Sequence, residues 1–177
     1  HMSQFSGQFT ITKKDNLRYN FYSMSKKLLS TSVLVFVIIG AMIGFLRYGQ
    51  GYGVTSSLVN ALITAVVGTA LLLDINIVAT VLRMNSFYKQ KKLSDFSVTF
   101  TADDTGIHAV SDRGNADLEW SRIVAVRETR NAFYVFITDS YANVMPKDQS
   151  TGEQEFAKLR KLLYKHVPNN RLKIKAA

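Results

Sequence analysis

LLSTSVLVFVIIGAMIGFL, Leu28 to Leu46, is 19 residues long and carries no charged side chain. A helix rises about 1.5 Å per residue, so about 20 apolar residues cross roughly 30 Å of hydrocarbon. The stretch therefore predicts a membrane-spanning helix. A secretory signal is disfavoured, because some 25 residues precede the run and no small-residue cleavage site follows it. His1 ahead of Met2 reads as a cloning remnant and is set aside.

Downstream, Leu58 to Leu82 forms a second apolar run, interrupted within TALLLDINIVATV (Thr69–Val81) by Asp74 and Asn76. RYGQGYGVTSS, residues 47–57, separates the two runs. Its Gly-x-Gly-x-Gly spacing has no strand before it, so it reads as turn chemistry rather than a phosphate loop. Residues 28–82 are thus expected to form a two-helix transmembrane hairpin with an outer loop at 47–57.

The charge of the chain is +9. Lys13, Lys14, Arg18, Lys26 and Lys27 precede the first run, Arg83, Lys89, Lys91 and Lys92 follow the second, and Arg47 lies between them. The positive-inside rule places both termini in the cytoplasm. Tyr48, Tyr52, Phe87 and Tyr88 are spaced as interfacial aromatics. Gly40 and Gly44 in one helix, and Ala61, Ala65 and Gly68 in the other, would lie at matching depth in an antiparallel hairpin and let the backbones approach. A homo-oligomer contact is the alternative use of the same glycines. Asp74 falls near the inner boundary. It is expected to act as a polar clasp to Ser30, Thr31 and Ser32 or to Lys26 and Lys27, joining the helix-packing set.

After Lys92 the pattern changes from spans to alternation. DFSVTFTADDTGIHAVSD reads as two strands about a turn at Asp103–Gly106, GNADLEWSRIVAVRE as one or two more, and FYVFIT and SYANVMPK as another pair. Ser150-x-x-Glu153 has the form of a capping box, opening a helix to Val167 with Phe156, Leu159, Leu163 and Val167 on its apolar stripe. Strands followed by one amphipathic helix make an α+β layout. A bent antiparallel sheet closed by a C-terminal helix is the pleckstrin-homology type. GQFTITKKDNLRYNFY near the N-terminus alternates at first and offers one more strand. The expected organisation is an N-terminal segment (1–27), the hairpin (28–82), a basic juxtamembrane linker (83–92), the pleckstrin-homology-like domain (93–167) and a basic tail (168–177).

TGIHAVSDRGNADLEWSRIVAVRETRNAFYVFITDSYANVMPK, with Gly106-Ile107 after the turn, Trp120 before Ile123, the FYVFI strand and Pro146-Lys147, resembles the YcxB-like family of bacterial membrane proteins. Together with ITKKDNLRYNFY the likeness covers most of the chain. The resemblance implies a pleckstrin-homology-like domain on the cytoplasmic side of a bacterial inner membrane. It transfers no catalytic residue, since the family has no established activity.

Chemistry is sparse. The chain has no cysteine, and apart from His1 its histidines are His108 and His166, with no metal-ligand spacing. Asp104-Thr105-Gly106 matches the aspartic-protease triplet, but Asp103 precedes it and strands flank it, so it reads as a turn. There is no G-x-S-x-G and no P-loop. Trp120 reads as core. No cofactor and no catalytic activity is expected. No nucleic-acid signature appears.

Arg122, Arg127, Arg130 and Lys147, together with the juxtamembrane Arg83, Lys89, Lys91 and Lys92, are the candidate contacts for anionic lipid or a protein partner. The expected function is a non-enzymatic membrane protein presenting a binding domain. An immunity protein against a membrane-active toxin and a small oligomeric channel or transporter component are the alternatives.

Overall fold

Alternation in FSGQFTI builds β1 (Phe5–Ile11), which buries Phe5, Gly7, Phe9 and Ile11 and exposes the residues between them. The computed structural model to which β1 belongs describes residues 4–90 and 94–176, the Lys26 side chain excepted. It divides into two units, residues 1–19 with 94–177, and residues 20–93.

In the first unit β1 pairs antiparallel with β2 (Phe96–Ala102) along its whole length, from Phe5 opposite Ala102 to Ile11 opposite Phe96. Strands adjacent in the sheet thus flank the inserted residues 20–93 in the chain. β3 (Gly106–Ser111) and β4 (Gly114–Glu119) complete a four-stranded sheet in the order β1-β2-β3-β4. The outer edge of β1 is closed by side chains. Glu155 accepts from the Ser6 N–H, and the Gln149 amide exchanges two hydrogen bonds with the Thr10 backbone. Such capping removes the free donors that would invite strand pairing.

A short 3-10 turn at Trp120–Arg122 ends this sheet. β5 (Ala125–Glu128), β6 (Ala132–Phe136) and β7 (Ala142–Pro146) then form a second sheet. Its fourth strand is β8 (Leu172–Lys173), parallel to β5, giving the order β7-β6-β5-β8. The expected single bent sheet is therefore two sheets. The expected basic tail is in part a strand, because Leu172 and Ile174 alternate with lysines and pack against the core.

Two further helices matter in this unit. α1 (Lys13–Gly49) begins at a capping box. Asp15 Oδ2 accepts from the Thr12 N–H (3.0 Å) and the Thr12 hydroxyl (2.7 Å), while Thr12 Oγ1 accepts from the Asp15 N–H (3.3 Å). Tyr19, near its start, packs its ring on Tyr134 and Phe136, which helps to bury β6 on both faces. α3 (Glu153–His166) lays Phe156 against Phe5, Phe9 and Phe133, so one ring touches both sheets. The expected capping box at Ser150 does not form. The N-cap is Gly152, whose carbonyl accepts from Glu155 and Phe156 N–H, while Glu153 turns to Arg160.

The second unit contains the rest of α1 and α2 (Val54–Gln90). Lys27–Gly49 and Val54–Gln90 are each long and apolar enough to cross a membrane. The core helix of a soluble protein would bury its apolar windows, but little of either is buried here, and Phe45 is 82% exposed. The molecule thus carries two candidate membrane-spanning helices, which suggests a membrane protein. The expected loop 47–57 contracts to a turn at 50–53, because Gly51 takes a left-handed φ of 86° and the N–H groups of Gln50, Gly51 and Tyr52 close on carbonyls of the last turn of α1. The expected linker after the second span is helical as far as Gln90.

Candidate functional site

Glu128 ends β5, and its side chain is 1% exposed. Three segments distant in the chain converge on it. Arg160 of α3 makes a two-pronged contact, Nη2 to Oε1 at 2.6 Å and Nε to Oε2 at 3.1 Å. Lys147, just past β7, donates to Oε1, and the Lys175 N–H donates to Oε2 at 2.8 Å. Arg160 also donates to Glu153 at 2.6 Å. Both cations lie near the face of Phe133, at 4.9 Å for Lys147 and 5.6 Å for Arg160.

Burial alone would push the Glu128 carboxyl up. The donors from Arg160, Lys147 and Lys175 outweigh that and hold it at about 2. Glu128 in turn pushes the Arg160 guanidinium further up. Two carboxylates and two cations make a neutral, closed network. Lys147, expected in an anion-binding set, is engaged in tying the end of β7 to β5 instead.

The remaining expected cations separate into two groups. Arg127 is half-buried and its Nη1 donates to the carbonyls of Val126 and Arg171, both at 2.9 Å. It therefore seals the β5–β8 junction. Arg122 and Arg130 are exposed and bond to no other described residue, as are Arg83 and Lys89 on α2. Lys91 and Lys92 lie outside the described residues.

A second polar cluster surrounds the β2–β3 turn. Asp103 Oδ1 accepts from the Thr105 hydroxyl (2.6 Å) and N–H (2.7 Å), and these hold its carboxyl at about 2. A methyl group added to Gly106 would lie 2.3 Å from the Leu118 carbonyl oxygen, so only glycine fits. Trp120 is buried, donates from Nε1 to the Asp103 carbonyl at 3.1 Å and stacks on His166 at 5.2 Å. Asp104 bonds Lys165 and His166, which lower its carboxyl, Lys165 foremost. The triplet Asp104-Thr105-Gly106 is a braced turn.

His108 was not singled out from sequence. β3–β4 pairing sets it opposite Asp117, with Nδ1 2.6 Å from Oδ1, and its Nε2 is 3.3 Å from the Thr105 hydroxyl and 3.4 Å from Asp103. Asp117, then Asp103, push its imidazole above the ordinary range. The signal that would have found it is the hairpin register, which follows once both turns are fixed.

In the second unit a methyl group on Gly40 would lie 3.7 Å from Ala65 Cβ, and one on Gly44 would lie 3.5 Å from Ala61 Cβ. Gly68 faces Ile39, and Ala61 and Ala65 are buried. The expected small-residue set thus meets within one chain. Asp74 does not join it. It is exposed and bonds no other described residue, Ser30, Thr31, Ser32 and Lys27 included, while the Lys26 side chain lies outside the described residues. The reason is helical phase, because Asp74 is nine residues beyond Ala65, about two and a half turns, which sets it on the opposite face. The polar link near that end is Thr80, which donates to the Asn76 carbonyl (2.8 Å) and lies 3.8 Å from Met24 sulfur.

These features define a β-rich domain whose first two strands are separated in the chain by a hairpin of candidate membrane-spanning helices. Residues 102–163 match the family model described as YcxB-like protein. The chain is also 24% identical over 169 residues to the Bacillus subtilis (strain 168) protein named "Uncharacterized protein YcxB", covering 93% of this chain and 90% of that one. Together the two findings support the YcxB-like family, the resemblance read from the sequence. No solved structure matches the chain significantly.

Proposed function

We propose that this is a non-enzymatic integral membrane protein of the bacterial inner membrane, whose cytoplasmic pleckstrin-homology-like domain binds a protein partner or anionic lipid head groups. The observation that carries the reading is the β1–β2 register. Strands on either side of the hairpin in the chain are neighbours in one sheet, so both ends of the hairpin must return to the side on which the domain folds. Charge asymmetry makes that side the cytoplasm. Antiparallel strands followed by the amphipathic helix α3 support the pleckstrin-homology-like reading, with β8 added after the helix.

A binding rather than catalytic role is favoured because the polar clusters at Glu128 and Asp104 are spent on one another. Of the cations expected to meet an acidic ligand, Arg122 and Arg130, with Arg83 and Lys89 on α2, are exposed and bond no other described residue. A cation near an anionic surface gains about 1 kcal/mol.

The chain has no cysteine, so single cysteines report topology cleanly. Gln50→Cys is expected to react with an impermeant maleimide from outside the cell, and Asn170→Cys only after the membrane is opened. A photo-crosslinker at position 122 or 130 in living cells is expected to give a discrete protein or phospholipid adduct. Reversed labelling would overturn the orientation, and absence of adducts at both positions would overturn the binding role.

A further inference from the structure

On α2, Asn60, Val67, Asp74 and Val81 recur every seven residues, with Ile63, Ala70, Ile77 and Met84 three residues after each. This is a coiled-coil seam with polar residues at two of its a positions. From Ile63 to Ile77 it runs along the face opposite Ala65, while Asn60, Val81 and Met84 at its ends are half-buried. Ile63, Val67, Ala70, Asp74 and Ile77 are all exposed. The Asn60 amide donates to the Ser56 carbonyl of its own helix at 2.9 Å, and its carbonyl oxygen accepts from no described residue.

The contacts of Gly40 with Ala65 and of Met24 with Thr80 set Asp74 level with the segment around Thr31. That is about 6 Å, four residues of helix, inside the level of Lys27. Within hydrocarbon a carboxyl facing lipid finds no partner, and such groups normally meet protein or water.

We propose that a second copy of this chain covers the seam, the two α2 helices packing in parallel with Asn60 against Asn60 and Asp74 against Asp74. A second copy shares the orientation and depth of the first, so both polar positions meet their counterparts with no further adjustment. An amide carries donor and acceptor and pairs with itself. Two carboxyls brought together share a proton instead of both ionising. A single polar a position fixes register and favours a parallel dimer. The small-residue face of α2 is already filled by α1 of the same chain, which leaves the seam open to a second copy. A helix of another protein bearing Lys or Arg at this depth is the competing occupant.

The inference rests on the membrane-spanning reading, and one set of variants tests the two separately. In native membranes Val67→Cys is expected to form a disulfide-linked dimer on mild oxidation, and Leu62→Cys, off the seam, is not. Adding Asn60→Leu and Asp74→Leu to Val67→Cys is expected to lower the dimer yield about tenfold, the effect of one or two membrane hydrogen bonds. Asp74→Asn is expected to keep most of it.

Release of the chain by alkaline extraction would remove the spanning reading. A chain that stays in the membrane overturns only the dimer if Val67→Cys remains monomeric, if its yield ignores the double substitution, or if a bifunctional thiol reagent joins it to a different protein.

Discussion

Glu128 and Asp74 are both carboxylates set among apolar residues, and the chain treats them in opposite ways. Glu128 draws Arg160, Lys147 and the Lys175 N–H from three separate segments. Asp74 has no partner among the described residues. Among the described residues the β-rich unit thus answers the demand of Glu128, whereas the hairpin leaves Asp74 to its surroundings. Substitution should follow the same division, with large effects where the chain supplies the partners and small ones where it does not.

The largest effect is expected at Arg160. Replacing it with Leu leaves Glu128 buried with half its donors gone, and removing one member of a buried pair costs about 3–5 kcal/mol. Phe156→Ala should cost a similar amount, about 3–5 kcal/mol, because its ring fills space between both sheets. Trp120, the lone tryptophan, lies in this unit and reports its unfolding in the full chain in detergent micelles. If Arg160→Leu unfolded at the wild-type denaturant concentration, the network at Glu128 would have no structural importance.

Gly106→Ala comes next. Its methyl group would meet the Leu118 carbonyl oxygen at 2.3 Å, and that oxygen belongs to sheet backbone. Forced overpacking costs about 1–3 kcal/mol. The same unfolding measurement checks it, and a cost near zero would mean that the β3–β4 pair can spread.

Much of this architecture was legible because it is local. Alternation marked β1 to β7 and two charge-free runs marked the spans, since burial at period two or over about 20 residues is written in consecutive side chains. The Glu128 network was not legible. Arg160 and Lys147 look like ordinary surface cations until α3 and β7 are folded against β5. The capping box at Thr12–Asp15 is hard to see in the sequence because ITKKD sits where a strand gives way to a helix and alternation runs right up to it. Ser150 offers a better-looking box, but the N-cap is Gly152 and Glu153 accepts from Arg160 of the next turns instead. Asp74 was misplaced for a related reason. Depth follows from residue count, but facing depends on helical phase against α1, which Ala61 and Ala65 settle.

A smaller effect is expected from pH. Asp117 holds the His108 imidazole above its ordinary 6.5. A raised group gives stability that is complete below its unfolded value and is lost as pH rises through the folded one. The β-rich unit should therefore lose stability as pH climbs above about 6.5, and His108→Gln should flatten that slope. Asp103, held at about 2 against an ordinary 3.8, works in the other direction, its contribution being present above 3.8 and lost as pH falls toward 2. Melting followed at Trp120 across both windows separates the two. An unchanged slope in His108→Gln would show that another group governs the alkaline side.

The smallest effect is expected at Asp74, and it tests the comparison most directly. A carboxylate with no partner among the described residues of its own chain has little to lose when removed, so Asp74→Leu should leave the thermal stability of the monomer in detergent within about 0.5 kcal/mol of wild type, as for a surface site. Gly44→Leu is the contrast, since its side chain must enter the space held by Ala61 and should loosen the hairpin. Both are read by protease sensitivity of the 50–53 turn. If Asp74→Leu loosened the hairpin as Gly44→Leu does, Asp74 would have to reach α1, against its exposure and its position half a turn out of phase with Ala65.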